Sequence, residues 1–204
     1  PEAKSPCTIS ADGSLTCPAT STAVSRAGQV LPNADPGEIA VTVVTDRDMA
    51  AALAEILADE APEGERLVTL RLADLPNGVA LLDEAALRRA AGSGVAVRVE
   101  SPRGSVTLTP ALLADLKLAE GEQLAVALTA GEIDPRDLEP WLGVGGYRQV
   151  GEPLSVSLVR LSDRGTAAVS TLPTPLVVSH PVEADDEVEA ATMAVFGRVA
   201  GSYR

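Results

Sequence analysis

A mainly β fold, built as a sandwich-like domain with short helices and preceded by an extended N-terminal arm, is what this sequence predicts, and three observations predict it. Residues 39–204 carry short runs rich in Val, Leu, Ile and Thr, separated by Gly, Pro, Asn and Asp at the regular spacing of a two-sheet domain. The helical stretches among them are brief. Residues 1–38 are rich in Pro, Ser, Thr, Ala and Gly, with apolar positions scattered singly, so they read as an arm separate from the globular unit of 39–204. Both cysteines of the chain, Cys7 and Cys17, lie in that arm, ten positions apart.

The first element is a hairpin. A three-residue loop at Ala11, Asp12 and Gly13, with Gly13 left-handed, sets Ser10 opposite Ser14, Ile9 opposite Leu15, Thr8 opposite Thr16 and Cys7 opposite Cys17. Counting outward from the turn, the cysteines fall on a non-hydrogen-bonded pair, the closer of the two pair types, whose separation suits a disulfide. Closing so short a loop stabilises it by about 2–3 kcal/mol through chain entropy. Such a bridge persists outside the reducing cytosol. Its rivals are two free thiols, or sulfurs that each bond a neighbouring chain. Zinc is disfavoured, because two cysteines with no histidine nearby cannot fill a tetrahedral site. The arm's scattered apolar residues, among them Ile9, Leu15, Val24, Val30 and Leu31, are the candidates for contact with another copy.

From residue 38 onward the pattern tightens. Residues 38–44 (EIAVTVV) form a strand, and Asp46 caps a helix running through 49–61. Residues 66–72 (RLVTLRL) alternate and end at the turn Pro76-Asn77-Gly78. Asp83 caps a helix over 84–91 that stops at Gly92, and 95–100 and 105–109 make a hairpin about residues 102–104. Pro110 opens a short helix through Leu118, followed by a strand over 122–130. The remaining strands are 153–161, 166–172, 175–180 and 192–199. Residues 63–72 (EGERLVTLRL) and 120–129 (EGEQLAVALT) form a quasi-repeat, each following a short helix, as expected of duplicated supersecondary units inside one domain.

Composition narrows the class of work. The chain has 204 residues, 46% of them hydrophobic but only 2% aromatic, so its core is built from Val, Leu, Ala and Ile. Acidic residues number 29 against 16 basic, a formal net charge of -13. Such a surface repels phosphate backbones and anionic lipid, which argues against nucleic-acid and membrane-surface partners. So few rings also argue against a sugar-stacking face. No stretch approaches the roughly 20 apolar residues that cross a bilayer. Nor does a basic start lead into a short apolar run, so the sequence reads as a mature or processed chain.

Residues 101–116 (SPRGSVTLTPALLADL), 150–161 (VGEPLSVSLVRL) and 174–183 (TPLVVSHPVE) carry a resemblance. The region they span, residues 65–200, resembles the β-rich extracellular domain of Gram-positive bacterial surface proteins, the kind found beside S-layer homology domains. There a strand leads through a Gly turn to a short helix, and a Pro-ended strand precedes an acidic loop and a final strand like 193–199 (MAVFGRV). The resemblance implies an extracellular scaffold or adhesion role and carries over no catalytic residues. This chain departs from the pattern in lacking S-layer homology repeats and in adding the cysteine-bearing arm.

Candidate chemistry is sparse. His180 is the only histidine, and Glu183, Asp185 and Asp186 follow it in an acidic run that reads either as a divalent-cation site or as a solvated loop. No calcium-loop spacing or nucleophile elbow accompanies them. Residues 143–146 (GVGG) lack the Lys of a phosphate loop, and Trp141 and Tyr147 beside them are expected to cover one end of the core. The expectation is therefore a non-enzymatic, secreted structural protein without a required cofactor. It would be a subunit of an extracellular bacterial filament or surface layer, joined to copies of itself when the arm adds a strand to a neighbour's sheet. The alternative is a non-catalytic binding or adhesion module of a larger cell-surface protein.

Overall fold

The computed structural model describes residues 7–10, 14–58, 66–131, 153–172, 174, 176–179, 181, 198–199 and 202–203. Thr8–Ile9 (β1) and Ser14–Thr16 (β2) pair in the expected register, Thr8 with Thr16 and Ile9 with Leu15. The Ser10 N–H donates to the Ser14 carbonyl, so alternation leaves Cys7 and Cys17 on a closely spaced pair. Their Cα atoms are 4.1 Å apart and their sulfurs are bonded.

The rest of the arm differs from the extended chain expected of it. Ser21–Val30 form a helix, α1, started by Thr20, whose Oγ1 accepts the Ala23 N–H at 3.2 Å. Ala23 and Ala27 stand four apart on one face and are both buried, with Val24, Val30 and Leu31 packed beside them. Residues that looked scattered are thus one helical stripe. A 3-10 turn at Pro36–Glu38, capped by Asp35, leads into β3, Ile39–Val44.

Next come α2 (Asp46–Ala58), β4 (Leu67–Arg71), β5 (Asn77–Asp83), α3 (Glu84–Gly92) and β6 (Ala96–Ser101). They are followed by β7 (Gly104–Leu108), α4 (Pro110–Asp115), β8 (Gln123–Ala130), β9 (Leu154–Ser162), β10 (Gly165–Ala168) and β11 (Val177–Ser179). Arg198–Val199 (β12) and Ser202–Tyr203 (β13) pair with each other. The cap of α2 is Thr45 and not Asp46. Thr45 Oγ1 accepts the Asp48 N–H at 3.4 Å while Asp48 Oδ2 accepts the Thr45 N–H at 2.9 Å, a capping box, and the Thr45 hydroxyl also donates to Asp48 Oδ2 at 2.6 Å.

Two sheets result, in the orders β1-β2-β4-β6-β7-β11 and β10-β9-β8-β5-β3. The units β3-α2-β4 and β5-α3-β6 each leave the second sheet, pass through a helix and enter the first, and their strands run parallel, β3 to β5 and β4 to β6. β7-α4-β8 makes the reverse passage, so the strands of the sequence quasi-repeat, β4 and β8, lie in opposite sheets.

The main core lies between the sheets and under α2, α3 and α4, and includes Leu70, Val97, Val106, Leu82, Val126, Met49, Leu87 and Leu112. A second cluster lies on the other face of the second sheet, where Val41, Val79, Leu81, Ala125 and Ala127 meet Ala23 and Ala27 of α1. β3, β5 and β8 of the second sheet are therefore covered on both faces. That explains why β3 and β5 read as near-continuous apolar runs without alternation. β5 is an element that the turn signal Pro76-Asn77-Gly78 conceals: Asn77 and Gly78 already pair with Thr129 and Leu128 of β8. On the first sheet a polar row, Thr69, Arg98 and Thr107, runs side by side across β4, β6 and β7 and continues onto β11 with the exposed Val177.

Candidate functional site

The cysteine-bearing arm is a strap, and its seat is the part of the molecule with the most distinctive construction. In β2, Leu15 pairs in parallel register with Leu70 of β4, and its side chain is 0% exposed within the main core. Cys17 is buried in the same cluster, and Cys7 and Ile9 pack against it half-buried. Cys7 Sγ lies 3.9 Å from the Val43 carbonyl oxygen. The disulfide hairpin thus extends the first sheet beyond β4 and touches β3, the terminal strand of the second, closing that side of the sandwich.

From Cys17 the strap crosses to the far face of the second sheet, where α1 lies. Arg26 of α1 anchors it there: one guanidinium nitrogen donates to Gln123 Oε1 at 2.5 Å, and another lies 3.8 Å from Asp163. Arg26 and Gln29 also line an open crevice of about 640 Å³ with Ser162, Asp163, Arg164, Gly165 and Thr166 of the β9–β10 turn. Its walls are polar and its Arg26 is already engaged by Gln123.

A second polar cluster joins the starts of α2 and α3. Asp83 Oδ1 accepts the Ala86 N–H at 2.6 Å, and Oδ2 accepts the Asp46 N–H at 3.1 Å. Arg89 grips both Asp46 carboxylate oxygens at 2.6 Å. The hydrogen bonds from the Arg89 guanidinium hold the Asp46 carboxyl below its ordinary value against the opposing effect of burial, and the Arg89 charge lowers it further. Anionic side chains at two helix N-termini also suit the helix dipoles. The cluster acts as a clasp between neighbouring helices.

The cysteines form a bridge within one chain. The interface candidates Ile9, Leu15, Val24, Val30 and Leu31 all pack against this chain's own clusters, so they do not form a free patch. Ile9 and Leu15 belong to the β1–β2 hairpin, and Val24, Val30 and Leu31 are brought together by α1, Ser21–Val30, and its C-cap. The signal for α1 was present in the Thr20 cap and the Ala23–Ala27 spacing. Glu183, Asp185 and Asp186, together with His180, Trp141, Tyr147 and residues 143–146, lie outside the described residues. Among the described residues no group of three or more His, Cys, Asp or Glu is gathered around a metal-sized space, and no helix is long and apolar enough to cross a membrane. No protein-family model, curated protein or solved structure matches this chain.

Proposed function

We propose that the chain is a non-catalytic structural module of an extracellular bacterial surface protein. The observation that carries this reading is the Cys7–Cys17 bridge inside a strap that closes the sandwich. A short disulfide loop stabilises the hairpin only where thiols stay oxidised. Here that hairpin supplies Leu15 and Cys17 to the main core, so part of the domain's stability is tied to an oxidising compartment. The best-formed polar contacts serve caps and tethers: Thr45 with Asp48, Asp83 with two backbone amides, Arg89 with Asp46, Arg26 with Gln123. These contacts hold elements in place, which is what a scaffold or adhesion module requires.

The role differs in one respect from an arm that orders only on a neighbour, because the strand it contributes is paired with its own β4. The test is to alkylate the protein from its native cells under denaturing conditions, with and without prior reduction, in surface and cytosolic fractions. The reading predicts surface material that takes up alkyl groups at both cysteines only after reduction. Cytosolic material alkylated at both cysteines without reduction overturns it.

A further inference from the structure

We infer that the seat of the strap is an acceptor site for the same segment of a second copy, so that molecules join by exchanging residues 7–31. This names the partner for the structural role proposed above and relies on that role only for its setting; the exchange itself follows from the geometry.

The strap is placed so that it can leave without unthreading the fold. β1 and β2 stand at the end of the first sheet, and their departure leaves β4, β6, β7 and β11 paired as before. α1 lies on the outer face of the second sheet, not between sheets. Both ends of the disulfide belong to the strap, so the hairpin travels as a closed unit and exchange breaks no covalent bond.

The connection to β3 is suited to re-routing. Residues 32, 33 and 35–38 are exposed, and Pro32 and Pro36 stiffen them. The linker makes local hydrogen bonds: Ala34 N–H to the Leu31 carbonyl, Gly37 N–H to Asp35 Oδ1, and Glu38 N–H to the Asp35 carbonyl. Fully extended, such a linker of about seven residues reaches some 25 Å.

The seat itself requires an occupant. Val41, Val79, Leu81, Ala125, Ala127 and Leu161 form an apolar face that water meets if α1 is absent, and Leu70 then loses Leu15 beside it. A strap from either chain makes identical contacts, so the choice between them is set by concentration and by the linker. A short tether presents its own strap at an effective concentration on the order of millimolar, which favours the closed monomer in dilute solution. Dense packing at a surface or a shorter linker shifts the balance toward exchange.

The experiment uses the full chain in two forms. Deleting residues 32–35 denies the strap its own seat, and size exclusion with light scattering should then show dimers or larger species that keep the Cys7–Cys17 bridge and the circular dichroism of the parent. A deletion variant that is folded and monomeric overturns the inference. Independently of how that variant folds, isotopically light and heavy parent chains are mixed at about 1 mM, taken through partial urea unfolding and returned. Mixed dimers in native mass spectrometry are expected, and their absence overturns the exchange. If mixed dimers form while the native protein proves cytosolic and reduced, the surface role fails and the exchange stands.

Discussion

Asp83 is one carboxylate serving two helices. With Oδ1 on the Ala86 amide and Oδ2 on the Asp46 amide, its removal leaves two helix N-termini short of an acceptor. Asp83→Ala is expected to lower the unfolding free energy by about 2 kcal/mol, and Asp83→Asn by roughly half of that, read from urea midpoints. The Ala86 cap was legible in the sequence, since Asp before Glu84 opens a helical pattern. The bond to Asp46, 37 residues earlier, was not. It depends on β3 and β5 being parallel neighbours, with Val44 beside Leu82, so that α2 and α3 begin side by side. Asp46 adds a pH signature. Its folded pKa is depressed by Arg89, so its contribution is present above the unfolded value near 3.8 and is lost as pH falls through the folded value. The stability gap between the parent and Arg89→Ala should therefore narrow as pH drops from neutral to below about 4. Because Asp46 and Arg89 are both about 40% exposed, added salt should narrow the gap at neutral pH as well.

At the level of elements, the hairpin, β3, the β6–β7 hairpin, β8 and β9 follow from local rules: a glycine turn, branched residues and regular punctuation. α1 and β5 escaped those rules for opposite reasons. α1 buries two alanines, too small to register as an apolar stripe, and its Ser, Arg, Gly and Gln mimic an extended linker. β5 is apolar throughout because it is covered on both faces, and Asn77-Gly78 at its start advertises a turn. In both cases the decisive partner is distant in sequence: the face made by Val79, Leu81, Ala125 and Ala127 for α1, and β8 for β5. If β2 is a true core strand, Leu15→Ala should cost about 2–5 kcal/mol, as for a cavity in a packed interior. Reduction of the disulfide should cost about 2–3 kcal/mol. A strap lying loosely on the surface would show neither loss in equilibrium unfolding.

At the scale of the whole molecule, the architecture is layered: the first sheet, the main core, the second sheet, and α1 over the second cluster. The strap is the segment that belongs to two of these layers, which makes an apolar-poor N-terminus part of the fold. The site was legible to the extent that Cys7 and Cys17 could be matched across a turn and the arm recognised as a strand donor. Its destination was not legible, because a parallel partner such as β4 leaves no local mark on β2. Hydrogen exchange on the oxidised full-length chain tests this account most directly. Amides of β2, residues 14–16, and of α1 from residue 24 to 30 should be protected to an extent comparable with those of β8, residues 123–130. Exchange of those β2 and α1 amides at the rate of an unstructured chain, with β8 still protected, would contradict it.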